Sequence, residues 1–315
     1  VACSGSEAAS PPSTVAETSP PTTKPSPTST TEASTTTSSS TTTTTIPADP
    51  VMPLTGLPVE DPATAGRPAV VVKVSNDPGA RPQSGLDSAD IVFEAWGAGP
   101  TRFAAVFQSE DAPKVGPIRS ARTQDVDLVG SFNGAVFACS GGNAGAIAAI
   151  RSSDLLALTE NQGPGWFLDK NRRRPHATFS DTASLRTNVE FGRPGPAQQL
   201  HYRQADESAT GIASAGFKLK IELVDAEWQF VPETNSYARS QEGRPHLLAD
   251  GTRVDFTNVV VLWINYDRSP ADVRSPDGGT IGNGDAVVFT NGNRITAKWA
   301  RNNRLKPIEL TDMEG

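Results

Sequence analysis

Residues 135–150 read AVFACSGGNAGAIAAI, and this stretch decides the class of fold. The apolar run Ala135–Cys139 predicts a buried strand. Ser140-Gly141-Gly142-Asn143 predicts a turn, and residues 144–150 predict a helix. A strand that passes through a glycine turn into a helix is typical of a layered α/β domain.

Apolar stretches upstream of this segment extend the same pattern. Residues 69–74, 91–96 and 102–108 predict three strands, and the alternation within 102–108 predicts that this strand is half exposed. Residues 124–132 predict a further helix. We therefore expect an α/β domain that occupies residues 51–205.

The character of the sequence changes after residue 211, where short β-branched and aromatic runs alternate with turn clusters. Asn291-Gly292 between two such runs is a strong hairpin signal. Residues 310–315 predict no terminal element, which is the pattern of a sheet truncated at its C-terminus. We expect residues 206–315 to form a smaller, mainly antiparallel β domain. Its predicted strands are 218–224, 226–231, 237–240, 259–265, 286–290 and 295–300.

Residues 1–50 consist almost entirely of Ser, Thr, Pro, Ala and Glu, and they predict a disordered tether because they contain too little apolar surface to bury. Cys3 follows Val1-Ala2 and precedes this polar tract, a context typical of a bacterial lipoprotein after removal of its signal peptide. We therefore expect a lipid on Cys3 and an exported protein at the outer face of the cytoplasmic membrane. The alternative is that Cys3 is a leftover of an arbitrary cut.

The overall composition restricts the possible partners. The net charge of −7 offers no basic excess to release counterions, so we expect no nucleic-acid partner. No stretch has the run of apolar residues that a membrane span needs, so the expected membrane contact is the lipid. The two cysteines, Cys3 and Cys139, exclude a disulfide framework and a cysteine-rich zinc site. We expect no metal and no cofactor.

Several short motifs lie along the chain after residue 50. They are PLTG at 53–56, RP at 67–68, ARPQSGL at 80–86, ADIVFE at 89–94, TRF at 101–103, GPIRSAR at 116–122, GG at 141–142, RPH at 174–176, YAR at 237–239, NVVV at 258–261 and GNG at 282–284. Together they resemble the YerB-like lipoprotein family (domain of unknown function 3048). The resemblance implies an N-terminal α/β domain, a smaller C-terminal β domain and a lipid-anchored envelope location, and it implies no reaction. The chain departs from the family pattern at Cys139-Ser140, where relatives tend to have a histidine before the Gly-Gly turn.

Arg119-Ser120-Ala121-Arg122 is the strongest candidate for a binding site. We expect the two arginines to lie on one face at the start of a helix, where free N–H groups add positive potential. Phosphate or carboxylate fits such a site because arginine binds either with two parallel hydrogen bonds. Arg102 is expected to join them. The alternative is that Asp90 or Glu94 neutralises the arginines within the domain.

Two further segments are candidates for the same site. The turn Gly141-Gly142-Asn143 follows a strand, and its glycines would let a ligand approach backbone N–H groups. The alternative is a tight turn whose glycines serve only the backbone. The basic run 172–176 could supply Arg174 as a cation and His176 as a titratable imidazole, or it could be a solvated loop.

The remaining chemical groups have competing interpretations. Glu94 is a candidate general acid or base together with His176, although a buried partner of an arginine is the alternative for Glu94. Cys139 could be a nucleophile beside arginines or a small buried residue. His201 and His246 are interpreted as structural. The aromatic residues of the second part could stack on sugars or fill the core: Trp228, Tyr237, Trp263, Tyr266 and Trp299.

Three hypotheses about function follow. The first is a lipid-anchored binding module for an anionic or glycan ligand of the cell wall, held by Arg102, Arg119, Arg122 and the glycine turn. The second is an envelope hydrolase for a phosphodiester or glycosidic bond, with Glu94 or His176 as the acid or base. The third is a scaffold whose β domain docks another wall protein, with the protein partner unknown. The sequence favours the first because it shows no complete catalytic set.

Overall fold

The structure is a computed structural model. It describes residues 51–160, 162–189, 192–203 and 207–313. The described residues belong to one compact unit. Cys3 and the predicted tether lie outside them. No helix in this part of the chain is long and apolar enough to cross a membrane.

Short helices and many strands make up two halves, which we call the N-terminal half (51–203) and the C-terminal half (207–313). The helices are α1 (Pro62–Gly66), α2 (Asp125–Leu128), α3 (Ala144–Arg151) and α4 (Thr182–Arg186). The strands of the N-terminal half are β1 (Val70–Ser75), β2 (Ile91–Trp96), β3 (Thr101–Phe107), β4 (Val136–Cys139), β5 (Leu156–Thr159), β6 (Phe167–Leu168) and β7 (Thr178–Phe179). The strands of the C-terminal half are β8 (Ile212–Ala213), β9 (Gly216–Ile221), β10 (Val224–Val231), β11 (Ser236–Gln241), β12 (Arg244–Pro245), β13 (Asp255–Phe256), β14 (Asn258–Leu262), β15 (Tyr266–Ser269), β16 (Asp272–Gly278), β17 (Gly282–Thr290), β18 (Asn293–Arg301) and β19 (Glu309–Asp312).

The first sheet has the strand order β2-β3-β1-β4-β5. Strand β1 runs parallel to β4, and β4 runs parallel to β5, whereas β3 is antiparallel to both of its neighbours. Strand β2 therefore points in the same direction as β1, β4 and β5. The helix α3 follows β4 through the predicted glycine turn, with Asn143 as its N-cap.

Strand β3 is buried along its whole length, so the prediction that residues 102–108 are half exposed is wrong. Apolar clusters cover both faces of the sheet. Phe103 packs into the cluster on one face, and Ala104 and Val106 pack into the cluster on the other. In a strand that is buried on both faces, an alternating sequence does not separate an exposed face from a buried one. The alternation in residues 102–108 therefore led to the wrong prediction.

Helices contribute less than the α/β prediction implies, and the fold is mostly β. The predicted helix over residues 124–132 is only α2 followed by a 3₁₀ turn at Gly130–Phe132. The longest helix, α3, has 8 residues. The expected α/β layering is therefore reduced to a mixed sheet with short helices against it.

The C-terminal half contains two larger sheets and a hairpin. One sheet has the order β12-β11-β10-β9 with β13 beside β11, and the other has the order β14-β17-β18-β19 with β8 beside β18. Asn291 and Gly292 form the predicted turn between β17 and β18, with φ angles of 50° and 73°. Strand β19 pairs with β18, so the prediction of no terminal element is wrong. The hairpin of β15 and β16 was also not predicted.

A buried ion pair joins the two halves. Both Nη2–carboxylate distances between Arg239 of β11 and Glu94 of β2 are 3.0 Å, and the Arg239 side chain is only 1% exposed. Arg239 Nη1 also donates to Gln241 and contacts His246 Nδ1 at 2.7 Å. The His246 Nε2 atom lies 2.9 Å from Gln83 Oε1 in the N-terminal half. A guanidinium buried this deeply needs such a set of acceptors to offset its lost hydration.

Polar groups from the ends of β1 and β3 complete this network. Asn76 Nδ2 donates to Glu94, to Thr101 and to Gln241, at 3.1, 2.7 and 3.0 Å. Thr101 Oγ1 donates to Glu94 Oε1 at 2.6 Å. The carboxylate of Glu94 is thus held by groups of both halves.

A second set of contacts lies on the other side of the sheet. Gln124 donates to the carbonyl of Trp96 and accepts from the N–H of Gly278 in β16, at 2.9 and 2.8 Å. The N–H of Trp96 donates to the hydroxyl of Tyr266 at 3.2 Å. Thr123 bonds to Asp277 at 3.0 Å. The hairpin of β15 and β16 is therefore fixed against the N-terminal half.

We expect Glu94→Gln to destabilise the fold by roughly 3–5 kcal/mol, because it leaves the buried Arg239 charge without a counter-charge. Urea unfolding at neutral pH measures the loss. Arg81→Gln is the control, since its pair with Glu242 also joins the halves but is partly exposed and should contribute less than about 1 kcal/mol. Equal and small losses in both variants would contradict the assigned role of Glu94.

We expect His246 to make the fold weaker in acid. Burial, followed by the charge of Arg239, lowers the pKa of His246 to about 3. Between this value and about 6.5 the unfolded imidazole binds a proton that the folded one does not, so stability falls as the pH decreases, by at most about 1.4 kcal/mol per pH unit. Urea unfolding of the parent and of His246→Gln between about pH 6 and 4.5 measures this slope.

The slope should be shallower in His246→Gln, whereas the exposed His201→Gln should keep the parent slope. If His246→Gln does not fold, an NMR titration of the parent provides the same test. An imidazole of His246 that protonates near pH 6 in the folded protein would refute the assignment.

Candidate functional site

Four strands of the first sheet end at one edge, which we call the carboxyl edge. It is formed by the chain after Ser75, Trp96, Cys139 and Thr159, and Thr101 begins β3 at the same place. Ligands of open sheets with parallel strands bind at this edge, where loops diverge to either side.

The arginine motif lies in the carboxyl edge between β1 and β4. The N–H of Arg119 donates to the carbonyl of Lys73 at 2.8 Å, and the N–H of Ser140 donates to the carbonyl of Arg119 at 3.1 Å. The N–H of Ala121 donates to the carbonyl of Gly141 at 2.8 Å. The motif therefore inserts into the sheet as extended backbone, and the prediction that its arginines begin a helix is wrong.

Cations gather on one face of the sheet at this edge. Lys73 and Arg102 project to the same face, because Lys73 lies two residues before Ser75 and Ser75 pairs directly with Arg102. Arg102 is only 7% exposed, and its Nη1 donates to the carbonyl of Ser120 at 3.1 Å. Arg122 donates from Nε and Nη2 to the carbonyl of Gly97, at 3.1 and 2.9 Å.

Neither carboxylate expected as a partner neutralises these arginines. Asp90 accepts hydrogen bonds from Gln108 and Ser109. Glu94 is bound to Arg239. Glu94 also pairs in register with Phe103, the neighbour of Arg102, so its side chain projects to the opposite face of the sheet.

Two other carboxylates lie near the cations. Asp125 is fully buried and accepts a hydrogen bond from Lys73 Nζ at 2.5 Å. Asp77 Oδ2 lies 3.9 Å from Arg119 Nε, which is too far for a hydrogen bond, and accepts from Ser75 Oγ at 2.7 Å. The Nε of Arg119 is buried and has no acceptor among the described residues.

Burial and mutual repulsion lower the pKa values of these cations. Burial lowers the pKa of Arg102 to about 10, and Arg122 and Arg119 add to the decrease. Burial also lowers the pKa of Arg122 and of Lys73, and Arg119 contributes for Arg122 while Arg102 contributes for Lys73. An anion bound between these groups would relieve both the repulsion and the lost hydration.

The glycine turn lies next to the arginine motif. Gly141 has a φ of 104° and open space around its missing side chain, so this backbone geometry favours glycine. A Cβ atom on Gly142 would lie 3.3 Å from the carbonyl of Ala121, which also accepts from Arg122 Nη1 at 2.9 Å. The N–H groups of Gly142 and Asn143 have no acceptor among the described residues.

Asn143 has a structural role as well. Its Oδ1 accepts a hydrogen bond from the N–H of Ala146 at 2.7 Å and so caps α3. Its side-chain oxygen is therefore occupied, while its backbone N–H remains available at the turn.

The basic run 172–176 is only partly a solvated loop. His176 lies next to Gly79, where a Cβ atom would be 3.3 Å from its ring, and its buried Nδ1 has no partner among the described residues. Burial lowers the pKa of His176, Arg119 and Arg172 act in the same direction, and Asp77 opposes them. His176 thus shares the electrostatic environment of Arg119.

Arg174 does not join the arginines of the motif. Its guanidinium is bound to Glu160 at the end of β5, at 3.2 and 2.6 Å, and its side chain is 61% exposed. The structure therefore brings together Arg102, Arg119, Ser120, Arg122, Gly141, Gly142, Asn143 and His176, and it places Arg174 and Glu94 elsewhere.

Sequence reasoning missed Lys73, Asp77 and Asp125. Lys73 interrupts the apolar run Val70–Val74, and a lysine inside a strand buried on both faces is a detectable signal of a buried charge. Asp125 carries no comparable signal, since an acidic residue in the first turn of a predicted helix is ordinary.

The other candidate groups are mostly structural. Trp228, Tyr237 and Trp299 are buried, whereas Trp263 is 54% exposed. Cys139 is buried, and burial raises the pKa of its thiol to about 11. No group of three or more metal-binding side chains is present in the described part of the chain.

Two shallow hollows lie away from the arginine motif. We place the candidate site at the carboxyl edge nonetheless, because neighbouring cations and N–H groups without acceptors suit a charged ligand better than hollows with few charges do. One hollow, of about 380 Å³, is lined by Glu160, Trp166, Phe167, Leu168, Lys170 and Thr178. The other, of about 360 Å³, is lined by Ser84, Gly85, Asp87, Ser88, Pro113, Lys114, Leu248, Ala249 and Asp250.

Comparison with known proteins gives consistent matches. The family described as "Protein of unknown function (DUF3048) N-terminal domain" matches residues 54–193, and its C-terminal domain matches residues 217–315. "Putative lipoprotein YerB" of Bacillus subtilis (strain 168) is 31% identical over 272 residues, which cover 82% of this chain and 80% of that protein. The crystal structure of the YerB protein from Bacillus subtilis matches with a TM-score of 0.72 and 25% identity, over 84% of this chain and 91% of that chain.

We expect Cys139 to be unreactive in the folded protein, because only the thiolate attacks and a pKa of about 11 leaves little of it at pH 8. In a Cys3→Ser background, a chromogenic disulfide reagent should modify Cys139 at least about a hundredfold more slowly than in the guanidinium-unfolded chain. Similar rates in the two states would show that the thiol is accessible and ionised.

Proposed function

Since this chain belongs to the DUF3048 family, whose description names no reaction, we propose a function from its own residues. The protein is a lipid-anchored binding module that holds an anionic ligand of the cell envelope at the carboxyl edge of its first sheet. Arg102 and Arg119 bind the ligand, Arg122 adds positive charge, and the turn at Gly142 supplies backbone N–H groups.

The observation that carries this proposal is the excess of positive charge at the edge. Lys73, Arg102, Arg119 and Arg122 are four cations that act on one another electrostatically, and Asp77, Asp125 and Asp272 are the carboxylates that act on them. Asp272 forms its own ion pair with Arg274, which leaves Asp77 and Asp125 to balance the four cations. Two positive charges are therefore left over. Internal ion pairs normally neutralise cations that are this deeply buried. Cations without enough internal ion pairs therefore favour the binding of an external anion.

Hydrogen-bond donors without acceptors at this edge also favour the binding of an external anion. Arg102 uses Nη1 for the carbonyl of Ser120, and its other guanidinium N–H groups have no acceptor in the described part of the chain. Three further donors have no acceptor among the described residues: the Nε of Arg119 and the N–H groups of Gly142 and Asn143. Arginine and backbone N–H groups are the donors that phosphate and carboxylate sites use.

The proposed location depends on residues outside the described part. Cys3 and the polar tract that follows it fit a lipid anchor and tether, and a relative has a name that includes the word lipoprotein. Lipidation at Cys3 would place the binding edge outside the cytoplasmic membrane at a distance set by the tether.

The hydrolase hypothesis is the less favoured one. Glu94 is on the opposite sheet face and accepts from Asn76, Thr101 and Arg239, so it cannot serve as acid or base at the arginines. His176 remains near Arg119, and His176→Gln separates the two functions: a binding module keeps its affinity for the anion, whereas an enzyme would lose turnover.

We expect the protein to bind sulfate in low-salt buffer, as measured by isothermal titration calorimetry. Arg119→Gln should weaken binding by at least about tenfold, because a charge-assisted hydrogen bond contributes about 1.5–3 kcal/mol. Arg244→Gln, an exposed arginine of β12, is the matched control and should bind as the parent does. Absence of sulfate binding, or equal losses in both variants, would refute the proposed site.

A further inference from the structure

The charge balance at the carboxyl edge narrows the class of ligand. We propose that the site selects a phosphoryl group with two negative charges, as in a phosphomonoester, over phosphodiesters and carboxylates. This inference rests on the proposed function, because it assumes that the carboxyl edge binds anions.

Electrostatic neutrality favours a ligand with two negative charges. The excess of two positive charges among Lys73, Arg102, Arg119 and Arg122 matches a dianion, whereas a monoanion would leave one buried positive charge without a partner. Asp272 of β16 also acts on Arg122. Its carboxylate forms an ion pair with Arg274, whose N–H and Nε lie 3.1 and 3.4 Å away, so Asp272 and Arg274 together add no net charge to the balance.

The arrangement of hydrogen-bond donors favours the same group. Arg122 has its Nε and Nη2 on the carbonyl of Gly97 and its Nη1 on that of Ala121, so it contributes charge more than direct bonds. The unused donors belong instead to Arg102, Arg119 and the Gly142 turn. These come from three separate stretches of chain.

A phosphomonoester has three terminal oxygens that accept strong hydrogen bonds in different directions. It can therefore use donors from all three stretches at once. A planar carboxylate has two oxygens and suits a single bidentate fork. A phosphodiester has only two terminal oxygens and one negative charge, so it matches neither the donors nor the charge.

The same chemistry could come from a soluble phosphorylated molecule or from a lipid headgroup at the membrane. Both would present the same terminal phosphoryl group to the site. The two sources differ in whether that group is fixed at a membrane surface, and vesicles can separate them.

Calorimetry with ethyl phosphate, diethyl phosphate, acetate and sulfate tests the inference on the full chain. At pH 7.5 we expect ethyl phosphate and sulfate to bind at least about tenfold more tightly than diethyl phosphate and acetate. Arg119→Gln should remove this preference, and Arg244→Gln should retain it.

The pH dependence gives an independent readout. The second pKa of a phosphomonoester is about 6, so its dianionic fraction rises roughly tenfold between about pH 5 and 7.5. Binding of ethyl phosphate should strengthen accordingly, while binding of sulfate, a dianion throughout, should not rise. Protonation of His176 would add positive charge in acid and act in the opposite direction, and sulfate reports that effect separately. The other charged groups that face the site, Arg172 and Asp77 among them, affect both ligands alike.

The outcomes distinguish the two proposals. If none of the anions binds, the proposed function itself fails. If diethyl phosphate or acetate binds as tightly as ethyl phosphate, or if ethyl phosphate shows no pH dependence beyond that of sulfate, the anion site stands and the selectivity is refuted.

Vesicles that contain phosphatidic acid, a phosphomonoester, and vesicles that contain phosphatidylglycerol, a phosphodiester, identify the source. Co-sedimentation with the first type that requires Arg119 supports a lipid headgroup. Binding of ethyl phosphate without co-sedimentation supports a soluble ligand. Equal binding to both vesicle types through Arg119 would refute the preference for a phosphomonoester.

Discussion

The buried guanidinium of Arg239 is the constraint on which the rest of the structure depends. A charge that is removed from water needs a counter-charge and hydrogen-bond acceptors, and Arg239 obtains them at its two terminal nitrogens from Glu94, Gln241 and His246. Because Glu94 belongs to the first sheet and Arg239 to the C-terminal half, this requirement holds the two halves in a single arrangement. Asn76, which follows β1, and Thr101, which begins β3, extend the network to the central strands of the sheet.

The same strands carry a second group of cations on their other face, and the contrast between the two groups is informative. The Arg239 cluster contains its own carboxylate, bound with two hydrogen bonds at ideal distance. Arg102, Arg119 and Arg122 donate instead to backbone carbonyls or lie beyond hydrogen-bond distance of Asp77. The first arrangement stabilises the fold, whereas the guanidinium groups of the second have no described carboxylate within hydrogen-bond distance, which is why we propose a function for the second.

Local charge and bulk charge differ in this protein. The chain has a net charge of −7, yet its carboxyl edge has a local excess of positive charge. A net negative charge disfavours binding of polyanions such as nucleic acid and still permits a small anion that fits a local group of cations. Membership of the DUF3048 family places this arrangement in a group of proteins whose description names no ligand, and the residues of the edge supply a chemical starting point.

The sequence by itself determined the strands β1, β2 and β4, the turn at Asn291-Gly292 and the grouping of Arg119 with Arg122, because local apolar runs and turn residues specify such features directly. Only the tertiary structure decided that β3 is buried on both faces, that the arginine motif inserts between β1 and β4, and that Glu94 binds Arg239. These outcomes depend on which segments distant in the chain become neighbours. A charge in the sequence shows that a partner is needed, but the fold alone selects the partner.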